Sequence, residues 1–380
     1  MEIIILIQFC FVAWVVGWLS INMIHLEKAE PVTGPLIKTP LVSICVPARN
    51  EERDLEACLK SLSNQDYPNF EVIVADDHSD DHTFEIVKSF TEKFDNFSGF
   101  QGKPLPEDWL GKPYILDQAV SRAKGEYLLF TDADPVFEPF ALKSAIFLMQ
   151  KHKLDMLTLI PGAIFGSFWE RVVQPIVFGL TAGLTRFEKV NHPHNPKAIG
   201  IGAFILAKRS AYEKAGGHKA VKNNVVEDIA LGKAIKRSGH KIWIADGKLL
   251  FSIRMYHSFQ EIWTGWGKNI FSVFKRSIPR AIWIAISLVG FQLTPFLILY
   301  YNGVNDHLTW GFTLSIGTVL LTLVTGMELC KAVKLNPTTV ILFPLGSLIT
   351  IGILFASMQQ ALITNKTEWR GRVYITSKTN

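Results

Sequence analysis

The chain has 380 residues, 48% hydrophobic and 19% charged, with a mean hydropathy of +0.21 and a formal net charge of +5. It is too apolar for an ordinary soluble enzyme and too charged for a pure membrane bundle, so the length predicts two to three structural units of mixed character. The basic residues gather beside apolar runs rather than in a groove interleaved with aromatics, which fits anionic headgroups and speaks against nucleic acid as a partner.

Residues 3–24, "IIILIQFCFVAWVVGWLSINMI", carry no charge and as a helix would extend about 33 Å at ~1.5 Å per residue, enough to cross a bilayer. A cleaved signal peptide is the competing reading. The run is long for an h-region, has no basic n-region and shows no small-x-small exit, so 1–26 is expected to be an uncleaved anchor.

Residues 38–278 read as one cytoplasmic domain in two halves, 38–135 and 136–278. "LVSICVP" (41–47) is a strand expected to stop at Pro47, and "NEERDLEACLKSLSNQ" follows as a helix with Asn50 as its N-cap. "FEVIVADD" (70–77) is the next strand and "HTFEIVKSFTEKF" the next helix. Strand alternating with helix predicts an α/β fold with a parallel sheet, and ligands at the carboxyl ends of its strands.

Three polar clusters stand at such ends: "PARNEE", "DDHSDD" and "TDADP". In an extended segment Asp132 and Asp134 would face the same way, roughly 6.6 Å apart. Two such carboxylates suit a hard divalent cation, Mg2+ or Mn2+, shared with a diphosphate; a pair of solvated acids capping a turn is the alternative.

In the second half, "IPGAIFGSFWERVVQPIVFGLTAGLTRF" (160–187) is apolar and aromatic, with Glu170 and Arg171 arguing against a span. It is expected to be an interfacial helix that lets a membrane-dissolved acceptor reach a soluble donor, or else a buried core helix. "NHPHNP" (191–196), with two prolines and two asparagines, reads as a loop rather than a metal site. Glu227 and Asp228 open a helical stretch where first-turn acids are ordinary. Met255, Trp263 and Trp266 suit an acceptor path or an interfacial anchor.

Three further apolar runs, 281–303, 308–327 and 338–364, look like membrane helices. Lys268, Lys275, Arg276 and Arg280 precede the first, and Lys331 and Lys334 lie between the last two, which puts both segments in the cytoplasm. "YNGVNDH" carries no Lys or Arg and fits the outside. Four spans would then export a 365–380 tail that holds Lys366, Arg370, Arg372 and Lys378. Either one run is re-entrant or interfacial, with Pro295 and Pro344 marking the candidates, or the tail is an exception. Cys10, Cys45, Cys58 and Cys330 have neither metal spacing nor a disulfide framework.

The ordered set "VPARNEE", "VIVADDHSDDHT", "WLGKP" and "YLLFTDADP" resembles the family-2 glycosyltransferases, whose GT-A fold is a Rossmann-like nucleotide-diphospho-sugar transferase domain. The resemblance implies that Pro47, Ala48, Asn50 and Glu51 line the nucleotide crevice and that Asp76 or Asp77 bonds the base. Lys112 would meet the diphosphate, and Asp132 and Asp134 would bind ribose and metal. The family usually has Gly where this chain has His78. The "ED" of "VVEDIA" would open the acceptor-site helix, with Asp228 as the base beside Glu227. One displacement then means inversion. A glycosidase pair would need a water site and no nucleotide crevice.

The Gln-x-x-Arg-Trp box of processive synthases is absent from "FQEIWTGWGKNIF" (259–271), so a single transfer is expected. "AGGHKAVKNNVVED", "SIRMY", "FQEIWTGWGKN" and "TEWRGRVYITSK" resemble the membrane glycosyltransferases acting on carotenoids, of the diaponeurosporenoate and chlorobactene type, and their hopanoid-associated relatives. This implies a lipid acceptor, a UDP-hexose donor, and Arg254, Trp263, Trp266 and Lys268 on the acceptor side. A polysaccharide or polyprenyl-phosphate sugar transferase and a non-catalytic nucleotide-sugar-binding membrane protein are the alternatives.

Overall fold

Helix α1 (Glu2–Ile24) stands at the head of the chain, because nothing charged or helix-breaking interrupts its apolar run. A computed structural model describes residues 2–274, 276–305 and 309–363, and the backbone of 366–369 and 372–375. The domain that follows α1 alternates as the sequence predicts: β1 (Val42–Ala48), α2 (Leu55–Ser63), β2 (Phe70–Asp76), α3 (Thr83–Lys93), β3 (Phe97–Gln101), α4 (Gly111–Arg122), β4 (Tyr127–Phe130), the short β5 (Val136–Phe137) and α5 (Ala141–Lys151). Next come β6 (Met156–Ile160), β7 (Gly162–Ala163), α6 (Phe168–Leu184), α7 (Phe187–Asn191), β8 (Ile205–Lys208), α8 (Arg209–Lys214), α9 (Glu227–Arg237), β9 (Ile242–Asp246), β10 (Phe251–Ile253) and α10 (Phe259–Val273).

Seven strands form the main sheet in the order β3-β2-β1-β4-β8-β6-β9. All neighbours are parallel except β8, which runs against β4 and β6. Every residue of β1 and β4 is buried, as expected of strands covered on both faces. The chain leaves β1 on one side for β2 and β3, then returns on the other side as β4. This reversal opens a crevice beyond the carboxyl ends of β1 and β4.

Two sequence expectations about β1 are corrected. The strand does not stop at Pro47 but runs through it to Ala48, paired with Asp76. Thr131 N–H donates to Cys45 O, so residues of that parity face β4. The pairing with β4 ends at Cys45–Phe130, so the N–H that Pro47 lacks would have had no ladder partner. Asn50 is not an N-cap: α2 starts at Leu55 behind Asp54, and Asn50 sits in the loop at φ 53°, the left-handed region asparagine tolerates.

The linker after α1 belongs to the domain, so the boundary expected at 38 moves back to about 27. Ala29 N–H donates to Asp246 O, and Asp246 N–H to Glu27 O, each at 2.8 Å. These bonds cover the open edge of β9. Glu27 also holds Lys151 at 2.8 Å and Trp243 Nε1 at 3.1 Å, which moors the anchor to the sheet.

The 160–187 stretch is not one helix. Residues 156–160 and 162–163 are strands, and α6 begins at Phe168, where Ser167 and Glu170 form a capping box. Val172, Val173, Ile176 and Val177 are buried. At the other end, Trp18 Nε1 donates to Gly183 O at 2.7 Å, and Asn22 Nδ2 to Ala182 O and Thr185 O at 2.6 Å. Side chains of α1 thus satisfy the last carbonyls of α6.

The membrane segment holds α11 (Ile278–Gln292), α12 (Thr294–Asn305), α13 (Trp310–Ala332), a 3-10 turn (Pro337–Leu342) and α14 (Phe343–Ile363). Among the described residues three helices are long and apolar enough to cross a bilayer, Glu2–Ile24, Trp310–Ala332 and Pro337–Ile363. The pair α11–α12, bent by 41° just before Pro295, makes a fourth if it is one span. Of the two prolines expected to break a helix, Pro295 marks the bend, whereas Pro344 merely opens α14. Both α1 and α13 run toward the domain: Ile5 meets Gly311 at one end, while Leu19 and Leu329 meet Gly183 and Gly179 of α6 at the other. Helix α14 follows α10, with the Trp263 ring 3.3 Å from a Cβ built on Gly352 and Phe271 N–H donating to Ser357 Oγ at 3.3 Å. The final strands, β11 (Lys366–Trp369) and β12 (Arg372–Ile375), pair antiparallel. Lys275, Asp306, His307, Arg370 and Lys378 lie outside the described residues.

The capping residue Glu170 is fully buried and bonds bidentately to Arg254, Nε to Oε2 at 3.1 Å and Nη2 to Oε1 at 2.9 Å. Burial alone would raise its pKa, but Arg254 and donors from Ser167 and Gly166 overcome this and bring it to about 2. Glu170→Ala is expected to cost about 2–3 kcal/mol in thermal unfolding, less than the ~3–5 kcal/mol of a fully buried pair. The discount reflects Arg254, whose side chain keeps 34% of its surface in solvent. Because the folded-state pKa lies below the ordinary 4.5, this stabilisation is complete above that value and is lost as pH falls through about 2.

Candidate active site

Two loops at the carboxyl ends of β1 and β2 are laced together residue by residue. Asn50 Oδ1 accepts Asp80 N–H at 2.8 Å, Thr83 Oγ1 accepts Glu51 N–H at 2.8 Å, and Ser79 Oγ accepts Asn50 N–H at 3.0 Å. The buried Arg49 guanidinium donates to the carbonyls of Asp77 and, at 2.9 Å, His78. His78 has φ 55°, a conformation glycine takes most easily and histidine takes more readily than most residues. The loop therefore keeps the left-handed turn with a side chain in place of glycine. Asp76 and Asp77 are both buried. The Asp76 carboxylate accepts from Ser79 N–H at 3.3 Å and from Gln101 Nε2 at 3.3 Å, so it shapes the turn on which Asp77 rides.

The premise that Asp132 and Asp134 lie on an extended strand is corrected. β4 ends at Phe130 and the chain bends at 133–134, so the two acids are not set by strand periodicity. Asp132 points to Lys112, whose Nζ lies 2.6 Å from Asp132 Oδ1 and 2.8 Å from Glu227 Oε1. Both acids and the lysine have less than a third of their side-chain surface exposed.

Lys112 stands in the first turn of α4, where a helix dipole disfavours a cation. Burial works against its charge as well, yet Asp132, Glu227 and Asp228 outweigh both and raise its pKa well above the ordinary value. Glu227 and Asp228 occupy the first turn of α9, where the dipole favours acids. The Asp228 carboxylate accepts Gly202 N–H at 2.9 Å on Oδ2 and Ile229 N–H at 2.7 Å on Oδ1. Burial first, and the adjacent Glu227 charge second, push its pKa up to about 7.

The segment 199–204 carries this arrangement. It is pinned across the tops of β4 and β6 by Thr131 Oγ1 donating to Ala203 O at 2.9 Å and by Ile201 N–H donating to Thr158 Oγ1 at 2.9 Å. Gly200 and Gly232 let α9 approach it closely: a Cβ on Gly200 would lie 2.3 Å from Asp228 O, and one on Gly232 2.8 Å from Ile199 O. Gly202 lies at the centre, where a Cβ would be 3.1 Å from Lys112 Nζ, 3.3 Å from Asp132 Oδ2 and 3.4 Å from Asp228 Oδ2. The resulting cleft is lined by Lys112, Thr131, Gly202, His218, Glu227 and Asp228 among others. Gly202 and His218 were not singled out in the sequence, because a glycine and a histidine inside "GIGAF" and "AGGHKAV" carry no periodic or spacing signal of their own.

The residues expected on the acceptor side gather elsewhere. Arg254 is engaged by Glu170, and Trp266 is buried in the apolar cluster shared by α6, α10 and α14. Trp263 and Lys268 are half-buried on α10, and none of these four lines the cleft. The start of α10 nevertheless touches the nucleotide rim through Glu261, 3.1 Å from Arg53. Beside it runs a chain of rings: Phe168–Trp169 and Trp169–Phe259 at 5.0 Å, then Phe259–Trp263 at 5.9 Å. Phe168 is 50% exposed and Trp169 37%.

Two carboxylates one residue apart, both partly exposed at the rim, suit a hard divalent cation that takes its remaining oxygens from a diphosphate and water. No cluster of three or more His, Cys, Asp or Glu with metal-binding geometry occurs among the described residues, so such a cation would depend on ligand oxygens.

Residues 43–216 match the family described as Glycosyl transferase family 2. Over 262 residues, 67% of either chain, the sequence is 28% identical to a 4,4'-diaponeurosporenoate glycosyltransferase of Staphylococcus haemolyticus (strain JCSC1435). A protein of the same name from Staphylococcus aureus (strain USA300) aligns over 377 residues, 95% of each chain, at 25% identity. The structure of a mannosyltransferase from Pyrobaculum calidifontis, in complex with GDP-Man and Mn2+, superposes with a TM-score of 0.57 at 16% identity, covering 95% of this chain and 99% of that one. Together with the parallel-rich sheet, this likeness identifies the fold as GT-A.

The glycines separate fold from site. Gly200→Ala would drive a Cβ into backbone and is expected to cost about 1–3 kcal/mol in thermal unfolding. Gly202→Ala meets only side-chain ends and has no left-handed φ, so its unfolding midpoint is expected to match the parent's within about a degree, while ligand binding in the cleft is lost.

Proposed function

The family-2 glycosyl transferase domain at residues 43–216 makes this chain a glycosyltransferase, and from that premise we propose an inverting enzyme. It moves one hexose from a nucleotide diphosphate, UDP-hexose being the expected donor, to a hydrophobic lipid of the carotenoid or a related terpenoid class. The observation that carries the reading is the meeting of Lys112, Asp132, Glu227 and Asp228 around Gly202 at the carboxyl rim of the sheet.

The nucleotide enters at the crevice built from Pro47, Ala48, Asn50 and Glu51, and Asp77 on its turn takes the base. Lys112 turns from the carboxylates to the diphosphate oxygens and neutralises the departing group. Asp132 and Asp134 would hold a divalent cation, for which the mannosyltransferase of like fold, solved with Mn2+, gives a parallel. Such a cation supplies Lewis-acid stabilisation of the diphosphate.

Asp228 takes the acceptor proton. Its two backbone donors orient it, and a pKa near the working pH suits a general base. A single displacement at the anomeric carbon then inverts it. The rings from Trp263 beside α14 through Phe259 to the exposed Trp169 and Phe168 supply an apolar surface along which a lipid can lie. The S. aureus relative, named for a carotenoid acid and aligned over 95% of each chain, supports the acceptor class.

The domain faces the cytoplasm in this reading, since Lys268, Arg280, Lys331 and Lys334 lie at the domain side of the helices. α14 runs along α10 and against α6, which supports one apolar run remaining on that side. The basic tail then stays with the domain, and a C-terminal fluorescent fusion is expected to be active where an alkaline phosphatase fusion is silent.

Asp228→Asn is expected to lower turnover by at least ~100-fold while leaving donor affinity within about twofold, read by transfer assay and calorimetry. Retained turnover would remove Asp228 as base. In the parent, kcat/KM is expected to rise with pH through about 7 and flatten above it, because the carboxylate must be deprotonated to accept a proton. Asp134→Ala is expected to abolish the manganese dependence of donor binding.

A further inference from the structure

His218 is 1% exposed, yet it lines the same cleft as Lys112, Glu227 and Asp228. It is delivered there by Gly216 and Gly217, at φ +83° and +57°, which turn the chain back after α8. The turn presses the backbone onto the Tyr212 ring, where a Cβ on Gly217 would lie 2.7 Å away. The Tyr212 hydroxyl accepts His218 N–H at 2.9 Å and lies 2.9 Å from the ring nitrogen Nδ1. The hydroxyl has one proton to give, and the arrangement that uses it donates that proton to Nδ1; in it the neutral imidazole carries its own proton on Nε2. The Phe130 ring meets the imidazole edge-on at 4.8 Å and restrains its tilt.

Burial, followed by the Lys112 charge, lowers the His218 pKa to about 3, so the ring is neutral at any working pH. A neutral, orientation-locked N–H donor is not needed for a diphosphate, which Lys112 already meets with full charge. It suits a neutral hydroxyl. Given the reading above, once Lys112 has turned to the diphosphate the group that meets this wall of the cleft is the hexose, because its anomeric carbon is bonded to the diphosphate and attacked by the nucleophile held at Asp228.

We propose that His218 recognises the donor sugar, its Nε2–H donating to a hexose hydroxyl, and that Tyr212 is the positioning residue that sets this tautomer. The inference rests on the glycosyltransfer reading but adds a specificity contact outside the carboxylate and lysine set.

The test uses full-length protein in detergent with Mn2+, and calorimetric titration with UDP-glucose, GDP-mannose, UDP and GDP. The nucleotide that the parent binds defines the matched pair of diphosphate and sugar diphosphate. His218→Phe is expected to weaken the sugar diphosphate about tenfold and the bare diphosphate less than twofold, the loss of one neutral hydrogen bond. His218→Gln, whose amide nitrogen reaches near the Nε2 position, is expected to restore most of that loss. Tyr212→Phe should fall between them, with the loss in the sugar diphosphate alone. Equal weakening of both ligands, or no rescue by glutamine in a variant with the parent's unfolding midpoint, overturns the assignment. A parent that binds no sugar diphosphate overturns the donor reading and this inference together.

Discussion

The Lys112 ammonium is the point on which the site depends. It is offered by α4 and gripped by Asp132 at the end of β4 and by Glu227 at the start of α9, so it ties the two halves of the domain across the crevice. Without it, three carboxylates would share a half-buried cleft and repel one another; with it, the cleft is charged but stable before any ligand arrives. In the proposed reaction the same ammonium would be released to a diphosphate as Asp132 takes up a divalent cation, so the pairing with Asp132 is one that a ligand can exchange.

Around this point the fold controls how closely backbones approach. Gly200 and Gly232 remove the side chains that would hold α9 away from the 199–204 segment, and Asp228 is oriented by backbone N–H groups rather than by flexible partners. The anchor reaches the same body by another route: α1 caps α6, the linker covers the edge of β9, and Glu170 at the head of α6 holds Arg254. The apolar helix α1 and the sheet are thereby one mechanical unit.

The alternation of strands and helices was legible because β1, β2 and β4 are continuous apolar runs that end in polar clusters, and the rim position of "TDADP" followed from that. Local periodicity does not extend past the strand: Asp132 and Asp134 have the spacing of one face of an extended segment, whereas the chain bends between them. Asn50 looked like an N-cap because it precedes an acid-rich helical pattern, but its side chain serves the facing 77–83 loop, a contact 30 residues away. The composition of the 160–187 stretch is uniformly apolar and suggests one helix, although Ile160 and Gly162–Ala163 belong to strands and only Ser167 caps the start of the helix.

The sequence by itself determined the class of the chain, an α/β domain flanked by apolar runs, and which acids stand at strand and helix ends, because burial and element boundaries are written in local hydrophobic pattern. Tertiary structure alone decided which of those acids meet, that Lys112 bridges them, that Gly202 is their shared floor and that His218 faces them with one nitrogen locked by Tyr212. The contacts of Lys112 with Asp132 and Glu227 join residues 20 and 115 positions apart, and no period or spacing along the chain encodes the distance between two side chains delivered from different elements.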